Sequence, residues 1–101
     1  MNQLAQTILA QLGGNTFVRM TGARNFVHSA TSLSFRLPWP KVNVVHITLD
    51  PDDTYHCVFS FHRGDSRKVK ADHFGVYAED LAALFRFVTG LETRMPTVRF
   101  A

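Results

Sequence analysis

Between residues 33 and 62 apolar and polar side chains alternate in three runs, and no other feature of the chain restricts its fold so much. Leu33, Phe35 and Leu37 alternate with Ser34 and Arg36. Val45, Ile47 and Leu49 alternate with Val44, His46 and Thr48, and Tyr55, Cys57, Phe59 and Phe61 with His56, Val58, Ser60 and His62. A period of two sends every second side chain to the same face of a strand, so each run predicts a half-buried strand with its odd-numbered residues toward a core. Asp50-Pro51-Asp52-Asp53 is turn chemistry and joins the last two runs as a hairpin. Residues paired across a ladder share a face. Registers that pair His46 with His56 or with Val58 both satisfy this, and either puts His46 on the outward face beside them.

The flanking segments complete the pattern. Arg63-Gly64-Asp65-Ser66 turns the chain into a further strand over residues 67–73, with Val69 and Ala71 expected inward beside Phe59 and Phe61, and Lys68, Lys70 and Asp72 outward. Pro38-Trp39-Pro40 stops the first run, because proline cannot donate to a ladder, and holds Trp39 in a loop or at a sheet edge. Leu4, Ala5, Ile8, Leu9 and Leu12 paint one stripe on a helix over residues 2–12 that Gly13 and Gly14 end. Residues 16–20 alternate weakly and read as a short strand before a turn at Thr21-Gly22, and residues 25–28 either continue it or begin another. Tyr77, Leu81, Leu84, Phe85 and Val88 recur at helical spacing, with Glu79 and Asp80 at the start and Gly90 at the end. The expectation is an α+β fold: an N-terminal helix, a four- or five-stranded antiparallel sheet and a C-terminal helix, with both helices on one sheet face. Residues 1–101 form a single domain, with an ordered core over about 2–91 and an extended or mobile tail over 92–101, where Pro96 interrupts a stretch without period.

Composition removes several function classes. Hydrophobic residues make up 46% and charged residues 19%, a folding composition rather than a disordered one. The apolar runs are far shorter than the roughly 20 residues a membrane helix needs. The N-terminal residues lack the basic start of a secretory signal, so a cytoplasmic protein with no membrane partner is expected. Cys57 is the only cysteine, which excludes an intramolecular disulfide and cysteine-built metal motifs; within a strand pattern it reads as a small buried apolar side chain. A formal charge of +3 permits nucleic acid, an acidic protein surface or anionic lipid as a partner without choosing among them.

Four stretches carry a resemblance. They are residues 11–15 running into Met20-Thr21-Gly22-Ala23-Arg24-Asn25-Phe26-Val27; Ser32-Leu33-Ser34-Phe35-Arg36-Leu37-Pro38; Ile47-Thr48-Leu49 with Asp52-Asp53-Thr54-Tyr55; and Gly75-Val76-Tyr77-Ala78 with Leu81 and Val88-Thr89-Gly90-Leu91. Over most of residues 8–93 the chain resembles a group of small, functionally uncharacterised proteins encoded by bacteriophages and integrating mobile elements of bacteria. The resemblance implies a bacterial host cytosol as the setting and assigns no residue a role.

The candidate site is the outward sheet face. Arg36, His46, His56, His62, Lys68 and Lys70 would form a basic surface there, and Trp39 between its prolines adds an immobilised aromatic side chain suited to an interface. Imidazoles on neighbouring strands can hold zinc, but Asp72 lies one strand further away and no carboxylate completes a shell, so no metal and no cofactor is expected. The strand aromatics Phe35, Tyr55, Phe59 and Phe61 share the core parity, which leaves the basic face without rings for base stacking. Spacing assembles no nucleophile, base and orienting group. Gly13-Gly14-Asn15 lacks a phosphate loop's spacing, the Asp50–Asp53 turn lacks the distal glutamate of a calcium loop, and Arg63-Gly64-Asp65 is ordinary turn chemistry. The expected function is that of a non-catalytic protein-binding factor of a phage or mobile element. It would bind a host or phage protein, as an anti-defence inhibitor does by occupying a host surface. The alternative is a weakly specific nucleic-acid-binding module using the basic sheet face, and a homodimer is also compatible with the sequence.

Overall fold

The computed structural model describes residues 2–91, so the expectation of an extended tail over 92–101 lies outside the described residues. Helix α1 (Gln3–Leu12) starts where the Asn2 side chain accepts a hydrogen bond from the Ala5 N–H at 2.8 Å, the standard way of satisfying a free N-terminal donor. It stops at Gly13, whose φ of 135° few other residues tolerate. Ala5, Ile8 and Leu12 form its buried stripe.

Residues 14–21 are helical, which corrects the short strand read from residues 16–20. Helix α2 (Gly14–Thr21) exists because Phe17 and Thr21, four apart, are both buried, and the Thr21 hydroxyl donates to the Phe17 carbonyl at 2.8 Å. A five-residue window containing Thr16 and Val18 carries too little periodicity to separate helix from strand, and burial of one phenyl ring decides the outcome. Gly22 closes the helix in the left-handed conformation at φ 71°. The C-terminal helix α2 foreshadows is α3 (Leu81–Thr89), which ends in the same way: Phe85 and Thr89 are buried, the Thr89 hydroxyl donates to the Phe85 carbonyl at 2.7 Å, and Gly90 follows at φ 73°. A single 3₁₀ turn (Ala78–Asp80) precedes α3. Tyr77 lies before that turn and is exposed, outside the apolar stripe its spacing predicts.

Strands β1 (Arg24–His28), β2 (Ser32–Arg36), β3 (Val44–Leu49), β4 (Tyr55–Arg63) and β5 (Ser66–Val76) form one antiparallel sheet in chain order. In the β3–β4 hairpin His46 pairs with Val58 and Val45 with Phe59, the second of the two registers allowed by parity. Leu33, Phe35, Val45, Ile47, Tyr55, Cys57 and Phe59 all point to one side, where they meet the buried residues of the three helices. Phe17 is the hub of that layer, its ring edge-on to Phe85 at 5.0 Å and to Phe35 at 5.5 Å. The Tyr55 hydroxyl, donating to Gln11 Oε1 at 2.7 Å, ties β4 to α1. The expected arrangement of helices on one sheet face therefore holds, with a third helix added to it.

Strand β5 departs from simple alternation. Phe59 pairs with Ala71 but Ser60 pairs with Val69, so Lys70 is an extra residue at a bulge. From there to the turn the parity is reversed: Phe61 pairs with Lys68 and His62 with Arg67. Val69, expected inward, is 50% exposed beside Ser60 on the outer side, and Lys68, expected outward, shares the face of Phe61. A second bulge lies between the Cys57–His73 and Tyr55–Val76 pairs, where Gly75 has φ 65°.

Candidate functional site

The side of the sheet away from the helices is built from the even-numbered residues of β2, β3 and β4. Reading across the strands, one row runs Arg24, Arg36, Val44, Ser60, Val69, and the next runs Val27, Ser34, His46, Val58, Asp72. A third runs Ser32, Thr48, His56. Beyond the first row, past the end of β3, His62 pairs with Arg67. There Asn43 stands in for a strand residue: its side chain donates to the His62 carbonyl at 2.8 Å and accepts from the His62 N–H at 2.7 Å, which fixes the hairpin where β3 no longer supports it.

The two ends of this face differ chemically. At one end Arg24 sits opposite Arg36, and Arg67 lies beside His62. Among the described residues none of these arginines forms an ion pair. Burial, then Arg67, then Arg36 hold the His62 imidazole below its usual basicity, and burial, then Arg67, then His56 do the same for His46. The positive charge of Arg67 thus acts on both rings, although only His62 is its cross-strand partner. A shallow depression of about 220 Å³ opens here, lined by Asn25, Val27, Ser34, Arg36, Val44 and His62. At the other end the Phe74 ring stacks on His56 with centroids 3.8 Å apart and planes 15° from parallel. Asp72 Oδ1 lies 2.5 Å from His56 Nε2. That pair is partly exposed and contributes about 1 kcal/mol or less, so its effect is to orient the imidazole under the phenyl ring.

Of the residues proposed from sequence, Arg36, His46, His56 and His62 come together on this face. Lys70 is exposed at the bulge, whereas Lys68 belongs to the opposite face. Trp39 is half-buried against the core, in the loop between β2 and β3, and is not part of the outward set. Two expectations are corrected: Asp72 does reach an outward histidine, and the face does carry an aromatic ring, Phe74, which is 70% exposed. Sequence reasoning missed Phe74, Arg67, Arg24 and Val27. Gly75 directly after Phe74 is a bulge signal that would have prolonged the strand; nothing in Arg67-Lys68-Val69-Lys70-Ala71 marks the reversal of parity. Among the described residues no group of three histidine, cysteine or acidic side chains is placed to hold a metal. Cys57 lies in the core, and burial pushes its thiol up to about 12, which makes it inert as a nucleophile near neutral pH.

Fold and site together define a class: an α+β protein in which three helices cover one face of a five-stranded antiparallel meander and the other face is open. No family model, curated protein or solved structure matches the chain.

Proposed function

We infer that the protein is a non-catalytic binding factor that uses its open sheet face to occupy the surface of another protein. The observation that supports this best is the exposure of Val27, Val69 and Phe74, at 64%, 50% and 70%, on the same face as Arg24, Arg36 and Arg67. Exposed aliphatic and aromatic area mixed with arginine is the composition of protein interfaces, and a solvated sheet face without a partner gains nothing from it. We extend the proposal, on the sequence resemblance alone, to a bacterial protein as the target and an inhibitory or anti-defence role. Nucleic acid is the second reading, supported by Phe74 as a stacking ring on a face that carries arginines.

A photo-crosslinking residue placed at Val58, in the middle of the face, tests the proposal against one placed at exposed Ala83 on α3. In bacterial lysate position 58 should give a discrete, protease-sensitive adduct that disappears when Val69 and Phe74 are replaced by Ser, and position 83 should give none. Nuclease-sensitive adducts would establish the second reading, and the same adducts from both positions would defeat both.

A further inference from the structure

We propose that the depression at the arginine-bearing end of the open face receives the carboxylates of an acidic segment of the partner protein, held by Arg36 and His62 in its lining and by Arg67, the cross-strand partner of His62. This rests on the protein-binding reading above and adds the chemistry of the partner. Arg24 and Arg36 are direct cross-strand neighbours, a repulsive pairing, and no carboxylate among the described residues neutralises them or Arg67. Uncompensated cations gathered on one face are complementary to an anion supplied from outside. A guanidinium binds a carboxylate through two parallel hydrogen bonds, and the Asn25 side-chain amide adds an uncharged donor at the rim. Val27 and Val44 in the same depression offer apolar contact to the methylene stems of Glu side chains.

The layout favours an acidic protein segment over a polynucleotide. A single-strand track interleaves cations with rings so that successive phosphates and bases are served together. Here the one exposed phenyl ring of the face among the described residues, Phe74, lies at the far end, with the Asp72 carboxylate beside its His56 partner. That carboxylate would repel a phosphate running from the arginines toward the ring.

The test is an NMR titration of the full chain with a Glu-rich peptide carrying interspersed valines, its Gln-for-Glu counterpart, and a single-stranded oligonucleotide. The Glu peptide should shift the amides around Arg36, Val44, His62 and Arg67. Arg67→Ala should weaken it about tenfold, the scale of one charge-assisted hydrogen bond. Lys68→Ala removes the same charge from the opposite face and should leave affinity within about twofold, which separates a site from a general effect of net charge. Equal loss in both variants, or equal binding of the Gln and Glu peptides, overturns the acidic preference while the face remains a protein-docking surface. Binding of the oligonucleotide alone, falling steeply with salt, overturns this inference and the protein-binding reading together.

Discussion

Burial lowers the basicity of His46 and His62 and the charge of Arg67 lowers it further, which makes a pH experiment informative. The charges of Arg67 on β5 and Arg36 on β2 act on His62, and those of Arg67 and His56 act on His46; with burial as the larger cause, both rings titrate below the ordinary value of 6.5. A depressed imidazole means that the folded chain binds fewer protons than the unfolded one in mild acid. Stability is therefore complete above about pH 6.5 and falls as the pH drops through the folded-state values. Replacing Arg67 by Ala should raise both values toward 6.5 without fully restoring them, since burial persists, and should soften the loss of stability in acid. Imidazole resonances followed against pH, together with urea unfolding at each pH, measure the two effects. Unchanged titration of His46 in the variant would mean that Arg67 does not face it.

At the scale of elements, backbone conformation separates two glycines that the sequence presents alike. Gly75 has φ 65° with open space where a Cβ would lie, so Gly75→Ala should cost about 1–2 kcal/mol from the left-handed backbone alone. Gly22 has φ 71°, and an added Cβ would stand 2.9 Å from Cγ of Pro38, in a ring that cannot rotate away. Gly22→Ala should therefore cost clearly more, and denaturant unfolding of the two variants ranks them. The same contrast shows what was legible in the sequence. Strands β2 to β4 follow the alternation of Leu33, Phe35, Val45, Ile47, Cys57 and Phe59 because all are regular, and the parity rule then put His46, His56 and His62 outward correctly. Helix α2 and the tip of β5 were not legible, for different reasons. In α2 the Phe17 side chain had to reach Phe35 and Phe85, contacts far apart in the chain. In β5 an unbroken local alternation hides the extra residue at Lys70, so Arg67 and Val69 change sides with no mark in the sequence.

For the whole molecule, the aromatic layer joins the helices to the sheet. Phe17 is fully buried and touches rings from β2 and α3, so Phe17→Ala should cost about 3–5 kcal/mol. Against a total of about 5–15 kcal/mol for a domain of ordinary stability, that removes a large fraction. The melting temperature should fall by at least about 15 °C, read by circular dichroism. A smaller loss would mean that the neighbouring rings collapse into the space.

Both rims of the sheet are irregular: β1 loses register between Arg24 and Val27 with Asn25 at φ 56°, and β5 is interrupted at Lys70 and again at Gly75. Broken rims are poor templates for annealing another chain backbone to backbone. A molecule built this way can keep exposed valine and phenyl side chains wet in a crowded solution without growing into fibres.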